Sequence, residues 1–236
     1  MTAFAPMQLQ RAVAAICPDI AKRATAAPRV REEDRLWWEL SCCLLSSQVP
    51  YALAVAAADR LDGSGLLHSA RADQPDLTDR LTDLLSAPLT VSGTCRRYRF
   101  PQARARQLAL TRLAVSAEAG TLCALIQTAG TGEAVREWLV GNAPGIGPKQ
   151  ASMFVRNVGL SYELAILDRH VLNYMTALTL SPTPIRATSS LSPYLRGETA
   201  LRVHADDIGV PVGLLDWAIW IVMRVAKTTQ TETLAA

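Results

Sequence analysis

Lysine is nearly missing from this chain: three residues, at 22, 149 and 227, stand against twenty-one arginines in 236 positions. A lysine inside a patterned segment is therefore hard to dismiss as incidental surface charge. Cysteine is present but unorganised. The five, at 17, 42, 43, 95 and 123, form no Cys-x-x-Cys pair and no spacing that suits zinc, so no metal is expected. Cys42 and Cys43 sit inside an apolar helical run and read as buried thiols. Charge of one sign is not in excess either. A net +3 leans only mildly toward anionic partners, and a local basic face would matter more than the total. The arginine bias suits phosphate contact and equally suits the codon usage of a GC-rich genome. No signal peptide and no membrane span is expected, since the stretch from Ile219 to Ala226 is short and interrupted by Arg224. A soluble cytoplasmic protein with no membrane partner is expected. Strand signals and internal repeats are lacking too. With 50% apolar and 19% charged residues, the chain should be a globular all-α protein.

What is present is concentrated between residues 144 and 170. Gly145 and Gly147 flank Ile146, so the turn has positive φ available at two places and can bring its amides close to a ligand while Ile146 anchors it inward. Such a turn can hold a phosphate. Pro148 suits a first helical position, which puts Lys149 and Gln150 in the first turn. A cation there opposes the helix dipole at a cost of roughly a few tenths of a kcal/mol. Its retention points to a phosphate contact or to an amine that must lose its proton; the plainer reading is a solvated helix start. Gly159 can end this helix. Tyr162 to Leu167 is mostly apolar and should be buried, and Asp168 then precedes the periodic run Val171, Leu172, Met175, Leu178. Asp168 reads as an N-cap and also as a carboxylate aimed at a cavity beside Lys149; the two roles are compatible.

The rest of the chain reads as helices and turns. Residues 7–26 predict one or two peripheral helices broken near Pro18. A strong helix is expected over 32–47, with Glu32, Glu33 and Asp34 favouring its N-terminus, ending at Gln48 before Pro50. Further helices are expected over 51–61, 77–86, 102–119, 133–140, 194–208 and 212–226, with a loop over 181–193. Arg97 and Arg99 alternate with Tyr98 and Phe100, a pattern for backbone contact and stacking or for a solvated charged turn. Asp216 lies in an apolar helix and needs a partner if buried. Trp37 and Trp217 read as core, with a stacking wall as the alternative.

The stretch from Gly145 to Asp168 resembles the helix-hairpin-helix Gly/Pro-Asp signature of DNA glycosylases, in particular the compact bifunctional 8-oxoguanine DNA glycosylase/AP lyases. Weaker likeness extends from Trp37 to Trp220 through Leu44-Leu-Ser-Ser-Gln48, Arg97-Tyr-Arg-Phe-Pro101 and Leu215-Asp-Trp-Ala-Ile-Trp220. The resemblance implies two helical lobes with a cleft between them, assigned here as 1–75 plus 179–236 and as 76–178. It implies a lysine nucleophile at Lys149, an aspartate partner at Asp168 and a Schiff base with strand cutting. A free lysine amine titrates near about 10.4, so burial must lower that before such a residue attacks at neutral pH. Phosphate contact would come from Gly145, Gly147, Gln150, Arg169 and His170. Gln48, otherwise a polar helix end, matches a side chain that enters the DNA stack. Arg97 and Arg99 would add DNA contacts, and Trp37, Trp217 and Asp216 are pocket candidates. Several members carry a four-cysteine iron–sulfur cluster near the C-terminus; no cysteine follows 123, so no cofactor is expected. The implied partner is double-stranded DNA containing a modified base, met by a monomer at the nucleoid. The leading base is 8-oxoguanine, although residues 231–236 hold no lysine to help grip it. Alternatives are a same-fold glycosylase for bulky modified cytosine in phage DNA, acting in defence, and a non-catalytic DNA-binding hairpin.

Overall fold

A computed structural model of the protein describes residues 5–68, 76–182 and 190–235, without the side chains of 227–235. Residues 183–189 of the expected loop lie outside the described residues. Eleven helices and one small strand pair make up the described chain: α1 (Pro6–Ala26), α2 (Glu33–Leu45), α3 (Tyr51–Ser64), α4 (Leu77–Ser86), β1 (Leu89–Val91), β2 (Thr94–Arg96), α5 (Pro101–Ala119), α6 (Leu122–Ala129), α7 (Gly132–Asn142), α8 (Pro148–Asn157), α9 (Arg169–Ala177), α10 (Leu191–Ile208) and α11 (Val212–Ala235). Among them no single helix is long and apolar enough to cross a membrane.

The chain forms two compact units, Arg29–Val158 and Met1–Pro28 with Gly159–Ala236. This departs from the expected division. The apolar helix α2 was expected in the same lobe as α11, yet it is the centre of the other unit, packed on α3, α5, α6 and α8. Its sequence explains why. Leu36, Trp37, Leu40, Cys42, Cys43, Leu44 and Leu45 are all buried, a spread wider than one stripe, so the helix needs neighbours on several sides. Glu33 also reaches away from its own helix. Its carboxylate accepts from the amides of Leu122 and Cys123 at 2.9 Å, capping α6 beside Thr121, and takes the Trp37 indole N–H at 2.8 Å.

The strand pair was not expected. Leu89, Thr90 and Val91 face Arg96, Cys95 and Thr94 across a two-residue turn, Ser92-Gly93, in which both residues have positive φ. That turn matches the twist of the strands and so closes the hairpin.

In the other unit, α1 packs against α11 and α9 packs against α11. The first helix is neither peripheral nor broken: Leu9, Val13, Cys17, Ile20 and Ala24 all enter the core at helical spacing. Pro18 lies on its exposed side. The carbonyl that proline leaves without a donor can therefore be served by water, which is how the helix tolerates it.

Candidate active site

The hairpin lies between α7 and α8. Gly145 takes φ +86°, a left-handed conformation, and a Cβ there would stand 2.5 Å from the Gln107 side chain. Gly147 differs from expectation. Its φ of −95° and ψ of 177° are extended backbone, so only the first glycine is required by conformation. Ile146 is buried and its amide donates to the Ala143 carbonyl at 3.0 Å, which fixes the turn. No side chain caps α8, so its first amides are left for a ligand.

Lys149 is the second residue of α8 and is half-buried. Phe154 and Val155, both fully buried, hold this helix to its unit, and truncating a phenylalanine so placed costs about 3–5 kcal/mol. On the facing helix α2, the buried Cys43 thiol feels the positive charge of Lys149. Burial nevertheless pushes that thiol well above its ordinary range, with the Glu39 charge adding to the rise. It is inert as a nucleophile, as its apolar setting suggested.

Glu39 was not singled out from sequence, although it is the one acid within the apolar run of α2. Its carboxylate accepts from Asn157 Nδ2 at 2.7 Å, tying α2 to the end of α8, and from the Cys43 thiol at 3.6 Å. Burial raises its pKa, opposed by the Asn157 and Cys43 hydrogen bonds and by the Arg156 and Arg35 charges. A carboxyl raised in the folded state favours folding most below its ordinary value of 4.5, and that contribution is lost as pH climbs through the raised value. Glu39→Gln keeps an acceptor for Asn157 and removes the ionisation. Denaturant unfolding measured from mildly acidic to neutral pH is therefore expected to lose less stability on raising the pH in this variant than in the wild type.

Gln48 is exposed and holds φ +62°, one of three non-glycine residues in the left-handed region among those described. This is backbone strain at a position that sequence reading marked for DNA. Arg97 and Arg99 are exposed, with the Arg99 guanidinium 4.9 Å from the Phe100 ring. Tyr98 between them is buried and donates to the Leu45 carbonyl at 2.7 Å, anchoring the segment.

Asp168 belongs to the other unit. It caps α9, with Oδ1 accepting from the Val171 amide at 2.9 Å. The segment before it is gripped residue by residue. The amide of Ala165 donates to Glu198 at 2.6 Å, that of Ile166 to Asp216 at 2.5 Å and that of Leu167 to the Tyr194 hydroxyl at 3.0 Å; Tyr194 in turn donates to the Ala165 carbonyl at 2.6 Å. Gly213 adds a backbone bond to Tyr162 at 2.8 Å, and a Cβ on it would meet the Tyr162 and Leu164 carbonyls at 2.8 Å. Two buried carboxylates thus set the backbone from which Asp168 projects. Arg169 is exposed and His170 half-buried on the first turn of α9.

Two of the pocket candidates are closely packed. Trp37 is 1% exposed, bonded to Glu33 and overlain by Arg112, so it is core. Asp216 is 2% exposed and serves the Ile166 amide. Trp217 is half-buried against the core of its own unit. The structure brings Gly145, Gly147, Lys149, Gln150, Gln48, Arg97 and Arg99 into one unit, and Asp168, Arg169, His170, Asp216 and Trp217 into the other. Glu198 and Tyr194 were missed, because nothing in the local pattern of α10 marks an acid or a phenol as a backbone anchor for a segment about thirty residues away. Among the described residues there is no cluster of His, Cys, Asp and Glu able to hold a metal.

An all-α chain with an open-ended hairpin helix of this kind falls in the helix-hairpin-helix class of DNA glycosylases. Within that class, a family model for 8-oxoguanine DNA glycosylase matches residues 21–210, and the chain belongs to that family. It is 31% identical over 192 residues to the 8-oxoguanine DNA glycosylase/AP lyase of Thermotoga maritima, covering 81% of each chain. With the corresponding enzyme of Sulfurisphaera tokodaii it shares 28% identity over 193 residues, 80% of this chain and 83% of that one. The crystal structure of the T. maritima 8-oxoguanine DNA glycosylase superposes with a TM-score of 0.66 at 29% identity, covering 91% of this chain and 93% of that one. The fold is shared as well with the Methanocaldococcus jannaschii enzyme, solved with a 15mer DNA containing 8-oxoguanine (TM-score 0.66, 24% identity, 90% and 95% covered). The chain is accordingly a DNA glycosylase with AP lyase chemistry, and its partner is DNA.

Proposed function

We propose that the enzyme excises 8-oxoguanine from duplex DNA with Lys149 as nucleophile, and then cuts the strand. The observation that carries this reading is a half-buried lysine, one of three in the chain, in the first turn of the uncapped helix that follows the hairpin. The Lys149 amine attacks C1′ of the everted nucleotide as the bond to the base breaks, and the base leaves with the bonding electrons and takes a proton. Opening of the sugar gives an imine. Loss of a C2′ proton then expels the 3′ phosphate by β-elimination. Asp168 supplies negative charge to the cationic sugar, and its backbone is set by Glu198, Asp216 and Tyr194. The hairpin amides at Gly145 and Gly147, with Gln150, Arg169 and His170, hold phosphates, while Gln48 enters the stack where the base was. We place the enzyme as a monomer in the cytoplasm, at the nucleoid.

The test is a panel of duplexes carrying 8-oxoguanine, uracil, thymine glycol, an alkylated purine or glucosylated hydroxymethylcytosine, with base release scored separately from strand cutting. Release from the 8-oxoguanine duplex, followed by cutting, is the expected result. Activity confined to the glucosylated cytosine would overturn the substrate assignment and leave the lysine chemistry standing; binding without either step would reduce the hairpin to a docking module.

The phosphate contacts have their own readout. Arg169→Ala is expected to weaken binding to all duplexes alike and to lower the log-log salt slope by nearly one unit, about 0.9 per lost contact on duplex DNA. Gly147→Glu, which sets a negative charge at the helix start, should weaken binding further. A loss confined to one lesion in a titration series would place these residues in base recognition.

A further inference from the structure

Arg104, one of three arginines on α5 with no mark in the local pattern, is a buried cation beside both the Gln48 corner and the hairpin turn of its unit. The residue as a whole is only 9% exposed. One terminal nitrogen donates to the Gln107 Oε1 at 2.7 Å, the other to the Ser47 carbonyl at 3.3 Å, and Nε has no partner. No carboxylate pairs with it among the described residues; it lies near the Phe100 ring and the Tyr98 hydroxyl instead. A buried charge served only by neutral oxygens is costly, so a fold retains it for some further purpose.

Its two partners identify that purpose. The Ser47 carbonyl immediately precedes Gln48, the exposed residue held at φ +62°. Gln107 lies against Gly145, the left-handed residue of the hairpin, so closely that no Cβ fits between them. The guanidinium holds the strained corner directly and reaches the hairpin turn only through the Gln107 side chain.

We infer that Arg104, acting with Gln107, is a positioning residue for nucleotide eversion, locking the Ser47–Gln48 corner to the hairpin turn so that Gln48 is in place when the hairpin grips the backbone. This rests on the reading of Gln48 as the residue that enters the stack. Arginine is needed because its planar fork serves two acceptors at a fixed angle, which a lysine amine cannot do.

The experiment compares single-turnover base release from an 8-oxoguanine duplex with cutting at a preformed abasic site, where no base must be unstacked and eversion is cheaper. The proteins are wild type, Arg104→Lys, Gln107→Ala, Gln48→Ala, and Gln48→Ala combined with each of the other two. Gln48→Ala and Arg104→Lys are each expected to slow base release about tenfold more than abasic cutting, with each double variant no slower than its more impaired parent, because residues acting through one another are not additive. Equal slowing of the two reactions by Arg104→Lys would make the residue merely structural. Multiplicative effects in the double variants would show that it acts independently of Gln48, leaving the Gln48 reading intact, and no effect of Gln48→Ala would overturn that reading together with the coupling. Should Arg104→Lys fail to fold, the half-buried Gln107→Ala and its cycle with Gln48→Ala decide the matter by the same criteria.

Discussion

Replacing Lys149 by glutamine is expected to abolish the covalent protein–DNA adduct that borohydride traps during turnover. Base release under single-turnover conditions should fall by on the order of 10³-fold or more, as removal of a nucleophile does. The fold should not suffer. Lys149 is half-buried at the N-terminal end of α8, where its charge opposes the helix dipole, so a neutral residue there should be neutral or stabilising by roughly a few tenths of a kcal/mol. Two other lysine side chains exist, Lys22 and Lys227, and Lys22 is exposed on α1 in the other unit. Persistence of the adduct in the glutamine variant would therefore move the nucleophile to another amine and remove the central assignment.

Asp168→Asn should separate charge from capping. Asparagine can still accept from the Val171 amide that Asp168 holds at 2.9 Å, so stability should change by no more than about 1 kcal/mol. The backbone is preset by the bonds of Ala165, Ile166 and Leu167, which the substitution does not touch. Under the proposed mechanism, what disappears is negative charge near a developing sugar cation. Turnover is expected to drop by about 10²–10³-fold, in the range seen when one preorganised electrostatic contact is removed. Wild-type turnover at matched thermal stability would leave Asp168 as a cap and nothing more.

Most helices were legible because their apolar residues recur with a helical period and their ends carry glycine or proline. The α4 boundaries, Leu77–Ser86, agree with expectation, and those of α5 and α7 agree within a residue or two. The short α6 was missed, since eight residues, Leu122–Ala129, offer too few turns for a period to declare itself. The hairpin β1–β2 was missed for a similar reason: three-residue strands carry almost no alternation, and Ser92-Gly93 is their sole marker.

By itself the sequence determined the hairpin, its lysine and the capping aspartate, because each depends on neighbours a few residues away: a left-handed glycine, a proline at the first helical position, an acid before a periodic run. It also settled the all-α class, through a helical apolar period with almost no alternation. Only the tertiary structure decided which unit each helix joins. An apolar face says that a helix must be covered and not by what, so α2 could not be told from a partner of α11. The same holds for the anchors of the site. Glu39 with Asn157, Arg104 with the Ser47 carbonyl, and Glu198, Asp216 and Tyr194 beneath Asp168 are polar groups whose burial is tolerable only because a distant segment supplies the matching donor or acceptor. Those matches are made in space, and periodicity along the chain does not encode them.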